Sequence, residues 1–74
     1  MKAPKYASRL VNKEDGWMVG VCGRMHILTD NDLWADTFDA YALKHSQHHR
    51  NALKWAVEEY GEDNLKWVDL CESD

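Results

Sequence analysis

The stretch TFDAYALKHSQHHRNALKWAVEEY, residues 37–60, decides the fold predicted for this chain. At about 100° per residue, its apolar side chains fall on one side of a single helix. Thr37 and Asp39 are suited to the first turn, and Gly61 follows as a residue that readily takes positive φ. We therefore predict one long helix over residues 37–60. Its core face would hold Phe38, Ala42, Ala52, Leu53, Ala56 and Tyr60.

The middle of this stretch leaves an alternative open. Residues 46–51, SQHHRN, include several mediocre helix formers, and Ser46 or Asn51 is suited to cap a second helix. We favour an unbroken helix because the apolar side keeps its phase across these residues. Such a helix of about 24 residues would run about 36 Å, whereas a strand of six spans about 20 Å. The part of the helix that extends beyond the sheet is apolar, and its burial predicts a homodimer. A bend at residues 46–51 would shorten this overhang, and no dimer would then be required.

Short alternating stretches around the helix predict an antiparallel sheet. Gly16 ends a polar hairpin turn, Gly23 and Arg24 suit a two-residue reversal, and Gly20, inside a strand, indicates a bulge or room for a large neighbour. The predicted strands are residues 6–11, 17–22, 25–28 and 65–71. The fold class is α+β, a small antiparallel sheet in β-β-β-α-β order packed against one long helix. With 74 residues, the chain forms one domain, residues 1–74.

Charge is distributed unevenly along the chain. The net charge is −4, and the acidic groups concentrate before the helix and at its end. Nucleic-acid binding normally needs a basic stripe, so direct contact with nucleic acid is not expected. A protein partner with a basic surface is the expectation.

Two histidines, His45 and His49, lie four residues apart within the predicted helix. On one helix they would occupy adjacent turns, close enough to share a metal ion or to exchange a proton. A closed zinc site needs four ligands, and Cys22, His26 and Cys71 are the other candidates. The alternative, which we favour, is a pair of neutral histidines that fill a semi-polar core or lie under a loop, each hydrogen-bonded to a backbone carbonyl.

The sequence carries no pattern typical of an enzyme or a membrane protein. A cysteine and a histidine form the only formal nucleophile and base pair, and nothing positions an oxyanion hole, so we predict no enzymatic activity. There is no apolar run long enough to cross a bilayer and no signal peptide. Two cysteines, Cys22 and Cys71, are too few for a disulfide scaffold, so a cytoplasmic location is expected.

Four tryptophans exceed what so small a core can enclose, and exposed tryptophans frequently anchor interfaces. We predict a non-enzymatic protein-binding module. A small, acidic, tryptophan-rich chain fits the profile of phage or mobile-element inhibitors of host nucleic-acid-handling or defence complexes, including those of the anti-CRISPR kind. A small metal- or pH-responsive regulatory protein using His45 and His49 is the alternative. The predicted partner-binding residues are Asp32, Trp34, Asp36, Asp39, Trp55, Glu58, Glu59 and Glu62.

Overall fold

The computed structural model describes residues 1–70, which form four strands and two helices. The predicted α+β class and the β-β-β-α-β order are confirmed. Strand ends differ from the predicted ones by one or two residues, and Cys71 lies outside the described residues. The strands are β1 (Ser8–Asn12), β2 (Met18–Cys22), β3 (Met25–Thr29) and β4 (Leu65–Asp69), and the helices are α1 (Ala40–His45) and α2 (Gln47–Tyr60).

The sheet is antiparallel, with strand order β3-β2-β1-β4. The pairs β2–β3 and β1–β4 are each in register over five residues. The central pair, β1–β2, meets only at Val11 and Met18, next to the hairpin turn, so the two strands separate beyond it. The two-residue reversal predicted at Gly23 and Arg24 is confirmed, with Gly23 at φ 63°.

Residues 34–38, here called the bridging segment, fill the gap between β1 and β2. On the β2 side, the Val21 amide donates to the Trp34 carbonyl at 3.0 Å. On the β1 side, Phe38 and Ser8 exchange two backbone hydrogen bonds of 2.8 Å each. Since Phe38 is fully buried there, the bridging segment supplies both backbone pairing and the largest enclosed side chain.

Gly20 is required where the bridging segment meets β2. A Cβ at this position would lie 2.8 Å from the Trp34 carbonyl carbon and 3.0 Å from the Ala35 Cα. These are backbone atoms, which cannot rotate away as a side chain could. Of the two interpretations of Gly20, room for a neighbour is therefore the one observed, and the neighbour is the chain's own backbone.

The prediction of one unbroken helix over residues 37–60 is wrong. Ser46 has extended backbone angles, φ −113° and ψ 115°, and separates α1 from α2. Its amide closes α1 by donating to the Ala42 carbonyl at 2.8 Å, and its hydroxyl accepts from the His49 amide at 3.3 Å. Local capping at Ser46 thus overrides the continuous apolar phase, as the alternative interpretation allowed.

The helix start was also misplaced. Asp39, rather than Thr37, caps α1, with Oδ1 accepting from the Ala42 amide at 2.6 Å. The predicted stop is confirmed: Gly61, at φ 86°, donates from its amide to the Val57 carbonyl at 2.9 Å. A turn over Glu62–Asn64 then leads into β4.

The core lies between the sheet and α2. Ala52 and Ala56 are fully buried, and their small side chains let α2 approach the strands closely. Phe38, predicted on the helix face, reaches the same core from the bridging segment. The buried apolar core consists of Leu10, Val19, Phe38, Ala52, Ala56 and Leu65.

The observed length of α2 gives no reason to expect a homodimer. α2 has 14 residues, about 21 Å, which nearly matches the span of about 17 Å of a five-residue strand. The overhang on which that argument depended is absent in residues 1–70, because the chain breaks at Ser46 into two shorter helices.

Candidate partner-binding surface

Residues 30–34, here called the Trp34 loop, connect β3 to the bridging segment and present large apolar side chains to solvent. Leu33 is 90% exposed and Trp34 is 49% exposed. The carboxylates of Asp30 and Asp32 are exposed beside them in the chain. An exposed leucine and indole flanked by carboxylates form a surface suited to a partner with an apolar pocket and basic rim.

The backbone of the Trp34 loop is held by short local bonds. Asn31 donates its amide to Thr29 Oγ1 at 3.0 Å and accepts from the Leu33 amide through Oδ1 at 2.9 Å. The Trp34 amide donates to the Asn31 carbonyl at 3.0 Å, and the Trp34 carbonyl is bound to Val21 of β2. Because both ends are fixed to the sheet, little ordering entropy remains to be lost on binding.

A second acidic surface surrounds the end of α2. Glu58 and Glu59 lie exposed in the last turn, where carboxylates face the negative end of the helix dipole. Glu62 follows, with its carboxylate 2.9 Å from the N-terminal ammonium of Met1. The last turn of α2 holds no basic residue, so a cationic partner would relieve unfavourable electrostatics here.

The pKa of Tyr60 is affected by the carboxylates of this acidic surface. Burial raises the pKa of the Tyr60 hydroxyl above its ordinary value of 10.0, and the carboxylates of Glu59 and Asp15 raise it further. The acidic surface therefore extends from α2 to the turn between β1 and β2, which holds Asp15.

Three of the predicted partner-binding residues have roles inside the fold. Asp36, whose side chain is 10% exposed, places Oδ1 3.0 Å from His48 Nε2. Asp39 caps α1. Trp55 packs between His26 and Tyr60, with ring centroids 5.7 Å from each. The exposed members of the predicted set are therefore Asp32, Trp34, Glu58, Glu59 and Glu62.

A histidine cluster not foreseen from the sequence lies beside Asp36. The His48 ring is 5.6 Å from that of His26 and 5.3 Å from that of His49. Within residues 1–70, two buried polar atoms here lack a hydrogen-bond partner: His26 Nδ1 and Asp36 Oδ2. Since these residues come from β3, the bridging segment and α2, no local spacing could have predicted the cluster.

The two histidines of the predicted metal pair have separate surroundings. His45 is the last residue of α1 and stacks on Tyr41, with ring centroids 4.3 Å apart. His49 belongs to the first turn of α2, and its Nδ1 lies 2.7 Å from Ser46 Oγ. The predicted i, i+4 stacking on one helix is therefore wrong. Among residues 1–70, no group of three or more His, Cys, Asp or Glu side chains is arranged to hold a metal ion.

Arg9 is a further residue that the sequence did not single out. Its Nη1 donates to the Ala35 carbonyl at 2.6 Å and to Thr37 Oγ1 at 2.9 Å. Arg9 therefore joins β1 to the bridging segment through its side chain, in addition to the backbone pairing of Ser8 and Phe38.

The structure defines a small α+β domain, with the carboxylates and aromatic rings named above exposed on it. Within the described residues no pocket is found, and no helix has the length and apolar character needed to cross a bilayer. No protein-family profile matches the sequence, and neither the curated proteins nor the solved structures contain a match.

Proposed function

We propose that this chain is a non-enzymatic protein-binding module that docks on a basic surface of a target protein. The observation that carries the proposal is the Trp34 loop, where Leu33 and Trp34 stand exposed on a hydrogen-bonded backbone next to Asp32. Tryptophan is among the residues most enriched in interface hot spots, and a carboxylate beside it favours a basic partner surface. Glu58, Glu59 and Glu62 supply a second acidic contact.

The proposed target is a nucleic-acid-handling or defence complex of a host cell, and the chain acts on it in the cytoplasm as a phage or mobile-element inhibitor of the anti-CRISPR kind. Such complexes hold nucleic acid in strongly basic channels. Carboxylates beside a large apolar anchor would occupy part of such a channel and exclude the phosphate backbone. Self-association as a homodimer belongs to the same proposal.

The test is direct binding to purified RNA-guided nuclease complexes of several types, measured by biolayer interferometry at low and at physiological salt. We expect at least one complex to bind the chain, to lose affinity as salt rises and to lose its hold on target DNA. If none binds even at low salt, the inhibitor proposal is wrong.

Variants locate the contact on that target. Trp34→Ala and Asp32→Lys should each weaken binding by about tenfold or more, because both side chains are exposed at the proposed centre of the interface. Glu14→Lys, on the exposed turn after β1, makes the same charge change elsewhere and should have a smaller effect. Equal losses from Asp32→Lys and Glu14→Lys would show that only net charge matters.

A second candidate function is favoured by the histidine cluster. Asp36 and His48 join α2 to the bridging segment, which begins at Trp34. This is the pH-responsive form of the regulatory alternative, with His48 in place of His45 and His49. Target binding by the wild type and by His48→Gln, each measured at about pH 6 and pH 8, tests this form. Equal pH dependence in the two proteins would show that His48 is not the responsive group.

A further inference from the structure

β3 forms one edge of the sheet, and the pairing of β2 shows which way its backbone groups point. Val21 of β2 donates its amide to Trp34, and Val19 accepts from the Asp36 amide at 3.0 Å. Both residues therefore turn their backbone groups toward the bridging segment and away from β3. In an antiparallel pair, the residues opposite them must also point away from the shared ladder.

Those opposite residues are His26, paired with Val21, and Leu28, paired with Val19. Their amides and carbonyls face the open edge of the sheet. Within residues 1–70, β3 has no strand neighbour other than β2, and no backbone bond from His26 or Leu28 leads outside the sheet. Four main-chain groups are thus available to another strand.

The edge carries none of the usual protections against pairing. The sequence of β3, Met25–Thr29, is MHILT, with no proline and no lysine, arginine or carboxylate, and its five residues are in regular register without a bulge. Regular sheet edges without such protection are templates for strand addition.

We propose that β3 pairs antiparallel with β3 of a second copy of this chain, across a two-fold axis at Ile27. Ile27 then faces the Ile27 of the other copy, and His26 of each copy faces Leu28 of the other. Because His26 and Leu28 are the residues with outward backbone groups, this register forms four main-chain hydrogen bonds. All five residues of each strand are paired.

Charge complementarity selects this partner and this register. Arg24 precedes the strand and Asp30 follows it, so the edge reads basic, apolar, acidic along the chain. In the register centred on Ile27, Arg24 of each copy stands opposite Asp30 of the other, and opposite charges facing across strands are favourable. A shift by two residues separates the charges and leaves strand ends unpaired. A shift by one residue brings inward-pointing backbone groups to the interface.

The same register covers exposed apolar surface. Met25, which is 69% exposed, shares a sheet face with Ile27 and Thr29. In the dimer, Met25 of each copy would lie opposite Thr29 of the other, on either side of the central isoleucines. The two sheets would become one sheet of eight strands.

This interface rests on the self-association named in the proposed function, and its test does not involve the target. Sedimentation equilibrium should show a mass near twice 8.6 kDa at high concentration. Arg24→Glu and Asp30→Arg should each weaken dimerisation about tenfold, because each creates like-charge pairs at two symmetric positions. The double variant Arg24→Glu with Asp30→Arg should restore it. Both side chains are exposed, so folding should persist in each variant.

Lys54→Glu is the matched control for Arg24→Glu, since it makes the same charge change at an exposed position of α2. It should leave the dimer unchanged. Mixed samples of labelled and unlabelled chain should show an inter-subunit NOE between the two Ile27 Hα protons, which face each other in a non-hydrogen-bonded pair. A monomer at all concentrations up to about 1 mM would overturn the proposal. The proposal would also be overturned if the wild type dimerises but the double variant dimerises no more tightly than the single variants.

Discussion

Asp36 Oδ1 lies 3.0 Å from His48 Nε2, and this contact joins the bridging segment to the first turn of α2. The Asp36 side chain is 10% exposed, whereas that of His48 is 42% exposed. On its backbone side, Asp36 donates its amide to the Val19 carbonyl of β2. Asp36 thus connects β2, the bridging segment and α2.

Asp36→Ala should lower the free energy of unfolding by about 0.5–1.5 kcal/mol, since it removes the hydrogen-bond partner of His48, whose half-exposed ring can then bond to water. Urea denaturation followed by tryptophan fluorescence measures the loss. Asp32→Ala is the control, because it removes an exposed carboxylate from the neighbouring loop and should cost little. Equal losses from the two variants would mean that the Asp36–His48 contact contributes nothing.

Gly20→Ala should destabilise the fold by about 1–3 kcal/mol, because the new methyl group would overlap the backbone of Trp34 and Ala35. Gly16→Ala is a useful comparison. Gly16 has φ 75°, and a methyl group added there would meet no atom within 4 Å, so this variant isolates backbone strain, about 1–2 kcal/mol. Thermal unfolding followed by circular dichroism compares the two. Amide exchange at Val21 should accelerate in Gly20→Ala alone.

Ser46→Ala should lower the free energy of unfolding by about 1 kcal/mol, because it removes the hydroxyl that accepts from the His49 amide. Chemical denaturation gives the value. The control is Lys44→Ala, at an exposed position near the end of α1. If Ser46→Ala were instead more stable and more helical by circular dichroism, the break between α1 and α2 would be only a weak preference.

Alkaline stability should depend on Tyr60. Since the folded state raises the Tyr60 pKa above 10.0, it holds this proton more tightly than the unfolded chain does. The resulting stabilisation is fully present below about pH 10 and is lost as pH rises through the folded-state pKa. Wild type should therefore lose stability more steeply than Tyr60→Phe above about pH 10, and the difference between them should stay constant from about pH 7 to 9. Parallel curves over the whole range would contradict this.

Some of the fold follows from local sequence. The alternation in β2, the glycine reversal at Gly23 and the stop at Gly61 act over a few residues, so they could be predicted without knowing what packs where. The acidic, tryptophan-rich character of the surface also follows from composition. The boundary at Ser46 was an open alternative, because capping and apolar periodicity favour different structures there and sequence alone does not weigh them.

Tertiary structure decided the rest. The insertion of Phe38 between β1 and β2 depends on Ser8, thirty residues earlier, and no periodicity links such distant positions. The same insertion brings Asp36, which was predicted to bind a partner, into contact with His48, whose ring lies 5.6 Å from that of His26. Local patterns determine which residues prefer a helix, a strand or a turn. Which of these elements come into contact is decided when the bridging segment fills the gap between β1 and β2. The backbone groups that line this gap find their partners only in the folded chain.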